Sequence, residues 1–531
     1  MQRDAIATSK GGLENLEDLL GMRFSFRTDD ASTVAAAEAD LCVVATFETE
    51  VETPVVRTLD AALQGVLSKL IEEEQFAGKK SQSLMLHTHG KLGPRRVLLL
   101  GVGKRRDFVA SDVRTWAARA TRAATSSRCV RLLLVLPDGS ELGFGDGLAA
   151  LTGQFVVEGA LLSTYQFDKY LAGERKKRSV VAEVTTLVVG ASNGAGMAAG
   201  GRRGEIVAHS VMLARDLVNE QPSTMTPSAL AAAAGEIAAK HGLGLEVLGP
   251  KECTALGMGL YLAVARGSDE EPRFIHLSYK PSGTPRKKVV LIGKSVTFDS
   301  GGLSLKTTEG MLDMKVDMGG GATVLAAIDA LAGLGCPDEV HVLCAATENM
   351  PSGRSYKLGD VLRSMAGKTI EINNTDAEGR LTLADAITFA KEKIQPDEIL
   401  DFATLTGASL VALGPHTAAV MSNHAALSEA WLGSARKAGE EMWQLPLSER
   451  LVDMLKSDLA DMKNTGERSG GTITAGLFLR EFVGETPWVH VDMAGPVQAP
   501  KDFGHHCKGA TGFGVATLVE YLVPRGIGSA A

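Results

Sequence analysis

Short apolar runs, each followed by a helical pattern, constrain this chain more than any other feature. Leu41–Phe47, Val97–Leu100, Leu132–Leu136 and Thr186–Val189 read as strands. Between them lie helical stretches near 111–124 and 147–163, and a helix face marked by Leu59, Leu63, Val66, Leu67 and Leu70. Farther on, Val289–Gly293 (VVLIG), His341–Ala345 and Ile399–Leu405 repeat the rhythm, with helices expected over Ala322–Leu334 and Thr382–Ile394. A run such as VVLIG, without polar alternation, suits a strand buried on both faces of a parallel sheet. Strands alternating with helices give an α/β fold. The fold expected is therefore α/β with two domains, an N-terminal α/β domain and a larger C-terminal α/β domain with a mainly parallel central sheet. No internal repeat is visible.

At 531 residues the chain is too long for one ordinary core. Between Gly190 and Gly204 the composition turns to Gly, Ala, Ser and Asn, which marks a linker and divides 1–196 from 197–531. A helical pattern follows through Val207, Val211, Leu213 and Leu217. Thr226 and Pro227 then supply an N-cap and an N1 proline for an Ala-rich helix over 228–240.

A formal net charge of −8 argues against nucleic acid as the main partner. Six cysteines without a CxxC pair fit reduced thiols rather than a disulfide framework. No apolar run approaches the roughly 18 residues of a membrane span, and Met1–Arg27 has no apolar core of a leader, so no membrane association and a cytoplasmic location are expected. Gly101-Val102-Gly103-Lys104 follows a strand but lacks the full spacing of a phosphate loop. Arg175-Lys176-Lys177-Arg178 reads as a solvated loop.

The densest chemistry lies in Asn374-Thr375-Asp376-Ala377-Glu378-Gly379-Arg380-Leu381, two carboxylates two residues apart with a guanidinium two residues beyond. Alone, it could equally be an exposed acidic turn with a surface ion pair. A second group, Lys294, Asp299, Lys306 and Asp317, follows directly on the VVLIG strand, where α/β sheets usually gather their ligands. Four carboxylates in one pocket repel unless protonated or neutralised, and two divalent cations balance them. Oxygen ligands suit Mg²⁺ or Mn²⁺, and Zn²⁺ accepts Asp and Glu as well. There is no HExxH or HxH spacing, and the adjacent His505-His506-Cys507 point in different directions. Gly319-Gly320-Gly321 would allow either a close approach of backbone to a ligand or tight packing of helix on sheet.

These residues carry a resemblance. Gly293–Gly302, Val316–Gly320, Asn374–Leu381, Ala403–Ala408, Asp461–Gly466 and His490–Gly495 resemble, in order and spacing, the signatures of the M17 family of leucyl aminopeptidases, over roughly 215–495. Glu158-Gly159 through Tyr165–Tyr170 matches the family's N-terminal part only loosely. The resemblance implies a tight metal site of Lys294, Asp299, Asp317 and Glu378. It implies a more exchangeable second site of Asp299, Asp376 and Glu378. The ions would be Zn²⁺ and/or Mn²⁺, with Mg²⁺ or Co²⁺ as further candidates. Lys306 would polarise the scissile carbonyl, and Arg380 would hold a bicarbonate ion acting as general base. Met314, Thr404, Leu405, Thr406 and Gly407 would line the pocket for the first side chain, Leu or Met in preference. The implied partners are peptides and further copies of the chain in a homohexamer. The implied division of labour is catalysis in 197–531 and assembly or regulation in 1–196. Ser295, Gly321 and Gly495-Pro496 depart from the family's common residues, and all flank the chemical positions rather than replace them. A DNA-binding role beside the enzyme, and a two-metal phosphoester hydrolase, are the alternatives.

Overall fold

A strand of seven buried residues, Leu41–Phe47, stands at the centre of the first of two units. In the computed structural model, which describes residues 21–137, 148–176, 179–190 and 194–523, the chain divides into Met1–Thr164 with Ala172–Glu205, and Tyr165–Leu171 with Ile206–Ala531. The first unit carries β1 (Arg23–Asp29), β2 (Leu41–Phe47), β3 (Ser83–His87), β4 (Arg96–Gly103), β5 (Arg131–Leu136) and β6 (Glu183–Val189), in the order β1-β6-β5-β2-β4-β3. Every neighbouring pair is parallel except β3–β4. Alternate side chains of β2 enter two cores. Leu41, Val43 and Ala45 pack in one with Trp116, and Cys42 and Val44 in the other with Leu59.

Helices α1 (Pro54–Ala62), α2 (Val66–Glu73), α3 (Asp112–Ser126) and α4 (Leu148–Thr164) belong to this unit. The apolar face from Leu59 to Leu70 is split between α1 and α2 by Gln64 and Gly65, both at positive φ. Gly101 and Gly103 are strand residues: a Cβ on Gly101 would stand 2.1 Å from the carbonyl oxygen of Lys79. Of the basic run, Arg175 and Lys176 are exposed, as a solvated loop requires, whereas Lys177 and Arg178 lie outside the described residues.

Of the linker expected over Gly190–Gly204, residues 191–193 lie outside the described residues and the remainder is not a linker. From Gly194 the chain is helical, in α5 (Gly194–Asn219). Its small residues serve helix packing: a Cβ on Gly200 would lie 1.9 Å from the Ala150 carbonyl oxygen, and one on Gly204 would lie 2.5 Å from that of Gln154. The partner helix returns the favour, since a Cβ on Gly153 would lie 1.9 Å from the Met197 carbonyl oxygen. Composition alone cannot separate a flexible segment from a helix whose backbone touches another.

The second unit contains β7 (Gly244–Leu248), β8 (Arg273–Tyr279), β9 (Lys288–Gly293), β10 (Val296–Asp299), β11 (Glu339–Asn349), β12 (Val361–Arg363), β13 (Thr369–Glu371), β14 (Glu398–Ala403), β15 (Ala418–Ser422), β16 (Met442–Gln444), β17 (Met462–Lys463) and β18 (Trp488–Asp492). Its main sheet runs β16-β15-β18-β14-β9-β11-β8-β7, with β10 paired to β11. The centre, β18-β14-β9-β11, is parallel, while β15–β18, β11–β8 and β8–β7 are antiparallel. β9 sits between two parallel neighbours, which is why its side chains are apolar on both faces.

Helix α6 (Pro227–His241) opens with Thr226 Oγ1 accepting the Ala229 amide. The glycine triplet forms the first turn of α7 (Gly319–Gly333) rather than preceding it. Its purpose is close packing on the sheet, because a Cβ on Gly320 would lie 2.0 Å from the Phe402 carbonyl oxygen and one on Gly321 2.3 Å from Ser295 Oγ. Met314–Gly333 is long and apolar enough to cross a membrane, yet 89% of its apolar window is buried inside the unit, as befits a core helix. Helix α8 (Gly379–Phe389) begins inside the acidic octapeptide and continues as a π turn, Ala390–Ile394, closed by Gln395 at φ 56°.

Candidate metal centre and active site

β9 ends at Gly293, and the next residue, Lys294, hangs from the neighbouring strand through its amide, 2.9 Å from the Phe402 carbonyl oxygen. Its side chain runs under the start of α8, where a Cβ on Gly379 would lie 2.5 Å from Lys294 Cε. The glycine of the octapeptide is thus the space through which this lysine passes. Nζ lies 2.7 Å from Asp317 Oδ1, 2.8 Å from Glu378 Oε1 and 3.0 Å from the Thr404 carbonyl oxygen. Lys306 makes the second set, 2.8 Å from Asp299 Oδ2 and 2.5 Å from Asp376 Oδ1. One oxygen each of Asp299, Asp376 and Glu378 falls within 4.8 Å of the others. Asp317 joins them through Lys294, and Thr404 Oγ1 donates to its Oδ1 at 2.8 Å.

Each ligand candidate has a separate structural origin. Asp299 ends β10, Asp317 lies in the 3-10 turn Met314–Met318 ahead of α7, and Glu378 caps α8. Among the proposed pocket residues, hydrogen bonds tie Thr404 to Lys294 and Asp317. Met314 opens the turn that carries Asp317, and Leu405, Thr406 and Gly407 follow Thr404 out of the sheet. Ile399–Leu405 was expected as strand; β14 stops at Ala403. The reason is Asp492, whose Oδ1 accepts the Leu405 amide at 3.1 Å and whose Oδ2 accepts Thr406 Oγ1 at 2.6 Å, so this backbone turns to a side chain instead of a ladder.

The electrostatics are those of an acidic cluster short of positive charge. Burial raises the pKa of Asp317, Asp376 and Glu378, and mutual repulsion with Asp299 adds to it. Burial opposes the charge of Lys294, but Asp317, Glu378 and Asp299 outweigh it and raise its pKa. Lys306 is raised in the same way against burial, by Asp299 and Asp376. Arg380, 6% exposed, makes no ion pair among the described residues; NH1 donates to the Asn464 carbonyl oxygen at 2.8 Å and Nε is buried without a hydrogen-bond partner. Burial pulls its pKa down to about 10, with Glu378 and Asp492 pulling the other way.

Oε2 of Glu378 and Oδ2 of Asp317 are buried without a hydrogen-bond partner among the described residues, while Oε1 of Glu378 faces the Lys294 ammonium at 2.8 Å. A buried acceptor left without a donor costs about 1–3 kcal/mol. A divalent cation would satisfy them, and oxygen donors with one amine suit such an ion. Several residues that hold this arrangement carry no role in the sequence reading: Asn349, Tyr356, Thr375, Asn464 and Asp492. Asn349 and Asp492 end apolar strands as buried polar residues, a weak signal, and the other three lie in loops or turns where the sequence offers none.

Two domain models of one family cover most of the chain. The "Cytosol aminopeptidase family, catalytic domain" matches residues 212–519, and the "Cytosol aminopeptidase family, N-terminal domain" matches residues 43–174. The chain belongs to the cytosol aminopeptidase family. As a member it is an enzyme, a hydrolase. It is 44% identical over 486 residues to a "Probable cytosol aminopeptidase" of Cyanothece sp., spanning 91% of this chain and 97% of that one. It is 45% identical to another from Microcystis aeruginosa, over 88% of this chain and 92% of the relative. Among solved structures, a mutant of tomato leucine aminopeptidase superposes with a TM-score of 0.84 at 34% identity, covering 96% of this chain and 97% of that one. The bottromycin maturation enzyme BotP in complex with Mn gives 0.79 at 35% identity, over 91% and 99%. The two-domain α/β architecture, with its mostly parallel sheets, is that of the family.

Proposed function

We propose that this enzyme is a metal-dependent aminopeptidase that releases N-terminal residues, Leu or Met in preference, from peptides in the cytoplasm. The observation that carries the metal reading is Glu378, buried beside Lys294, Asp299 and Asp376 with Oε1 paired to the Lys294 ammonium and Oε2 without a hydrogen-bond partner among the described residues. Lys294, Asp299, Asp317 and Glu378 would hold one ion, and Asp299, Asp376 and Glu378 the other, with Zn²⁺ and/or Mn²⁺ favoured and Mg²⁺ or Co²⁺ admissible. When bound, two such ions supply Lewis acidity that activates a water and steadies developing negative charge.

The chain's own residues do the rest. Lys306, its side chain 17% exposed between Asp299 and Asp376, keeps its proton and donates to the scissile carbonyl oxygen as charge grows there. Arg380, with Nε unpartnered among the described residues and its charge unspent on carboxylates, would hold a bicarbonate ion, which would supply a general base. Met314 and Thr404–Gly407 receive the first side chain. A free α-amine, pKa roughly 7.7–8.0, must lose its proton to serve as a ligand, so the rate rises through mildly alkaline pH and N-acetylated peptides are not cleaved.

We assign catalysis to 197–531 and assembly or regulation to 1–196, in a homohexamer that acts on peptides and not on nucleic acid or membranes. An assay on leucyl amides tests the core of this reading. It compares chelator-stripped protein, the same protein after Mn²⁺ or Zn²⁺ add-back, and Asp376→Ala. Full activity in the stripped protein and in the variant would refute it.

A further inference from the structure

We propose that Asn349 is a positioning residue for the metal centre, one side-chain amide that fixes the orientation of Asp299 and the height of the loop bearing Asp376. The inference rests on the metal-binding reading of the site.

Asn349 ends β11 and is fully buried. Its Nδ2 donates to Asp299 Oδ1 at 2.8 Å and to the Thr375 carbonyl oxygen at 3.0 Å. The assignment of this amide is decided by chemistry: both neighbours are acceptors, so the turned-over amide would set oxygen against oxygen. The two N–H groups of one amide are therefore spent on two segments that approach the site from different directions. Asp299 arrives on β10, which pairs with β11, and Thr375 immediately precedes Asp376. The backbone joins in, as Ser300 donates to the Asn349 carbonyl oxygen through N at 3.0 Å and Oγ at 2.6 Å.

The amide also sets which oxygen of Asp299 would be left for a cation. Oδ1 accepts from Asn349 and, at 2.8 Å, from the Gly301 amide, which occupies it. Oδ2 is left on the side of Lys306. A carboxylate held this way has one rotamer to offer, and groups that orient a ligand are typically worth 10–100-fold in metal affinity. Thr375 provides an internal control. Its carbonyl oxygen accepts a second hydrogen bond, from Tyr356 OH at 2.7 Å, and Tyr356 has no hydrogen bond to Asp299.

The test is a competition titration of Mn²⁺ against a fluorescent chelator, on full-length chelator-stripped protein, for the wild type, Asn349→Leu and Tyr356→Phe. Asn349→Leu keeps the branched outline of the side chain and removes both donors. It should weaken Mn²⁺ binding 10–100-fold, whereas Tyr356→Phe, which loosens the loop but leaves Asp299 held, should stay within about 3-fold. Asn349→Ala, whose space water can enter, should lose at least about 3-fold and stands in if the Leu variant does not fold. Wild-type affinity in both Asn349 variants, or an equal loss in Tyr356→Phe, would overturn the proposal. Absence of Mn²⁺ binding by the wild type would overturn the metal reading, and the proposal with it.

Discussion

Lys294 Nζ stands 2.8 Å from Glu378 Oε1, with Asp317 Oδ1 at 2.7 Å on its other side. An ammonium so placed competes with any cation for the same oxygens. Burial works against its charge but the three carboxylates prevail and hold the proton on. A divalent ion ligated by this amine must first displace that proton. Metal binding should therefore release protons and tighten as pH rises. Calorimetric titration of Mn²⁺ in two buffers of different ionisation enthalpy checks this, and buffer-independent heats would contradict it.

Lys306 bridges Asp299 and Asp376 and is the more exposed of the two lysines. In the role proposed for it, replacement by alanine would remove a donor to developing charge, so kcat on leucyl amides should fall by about 10²–10³-fold. KM should change far less. Steady-state kinetics with metal-saturated protein separate the two effects.

Among the described residues, Arg380 makes one side-chain hydrogen bond, to a carbonyl oxygen, and its Nε has no partner. In carbon-dioxide-depleted buffer, added bicarbonate should raise kcat of the wild type and leave Arg380→Ala unmoved. The variant itself should lose about 10²-fold or more, the usual worth of a general base. Equal stimulation of both proteins would remove the arginine from that role.

Asp329, on α7, accepts from Ser210 Oγ, Lys240 Nζ and His241 Nε2 at 2.9, 2.8 and 2.8 Å, the last on one ring tautomer. Burial pushes its carboxyl up, yet these partners outweigh it and bring the pKa to about 2 from the usual 3.8. A depressed carboxylate stabilises the fold above the unfolded value and ceases to as pH falls through the folded one. Asp329→Asn should thus cost about 2 kcal/mol at neutral pH, and the gap to the wild type should close between pH 4 and 2. Urea denaturation over that range measures it.

Two glycine-to-alanine changes in helices should move stability in opposite directions. At Gly200 the new methyl would lie 1.9 Å from the Ala150 carbonyl oxygen, and forced separation of the helices should cost about 3 kcal/mol. At Gly235 of α6 its nearest neighbour would be Leu245 Cδ2 at 3.8 Å, and alanine should stabilise by about 0.5–1 kcal/mol. Thermal midpoints of the two variants decide the matter.

The pair Gly200 and Gly235 also shows what could be read in the sequence. β2, β9 and β11 were legible because burial on both faces demands unbroken apolar runs. The glycines of α5 were not: their meaning lies in α4, and no local pattern names a partner helix. The same limit applies at the site. The spacing of Asp376, Glu378 and Arg380 marked chemistry, but the placing of Lys294 against Glu378 and Lys306 against Asp376 depends on how three segments meet. Asn349 and Asp492 are ordinary polar residues in sequence, and only their hydrogen-bond partners distinguish them.

The Lys294 amide donates to the Phe402 carbonyl oxygen, and Lys294 Nζ donates to the carbonyl oxygen of Thr404, 110 residues later in the chain. A growing polypeptide that has produced Lys294, Asp299 and Asp317 therefore has carboxylates but no cage. The cage closes only once β14 has been synthesised and has zipped onto β9. On the metal reading proposed above, ion binding would then be a late event in folding, one that reports a completed sheet.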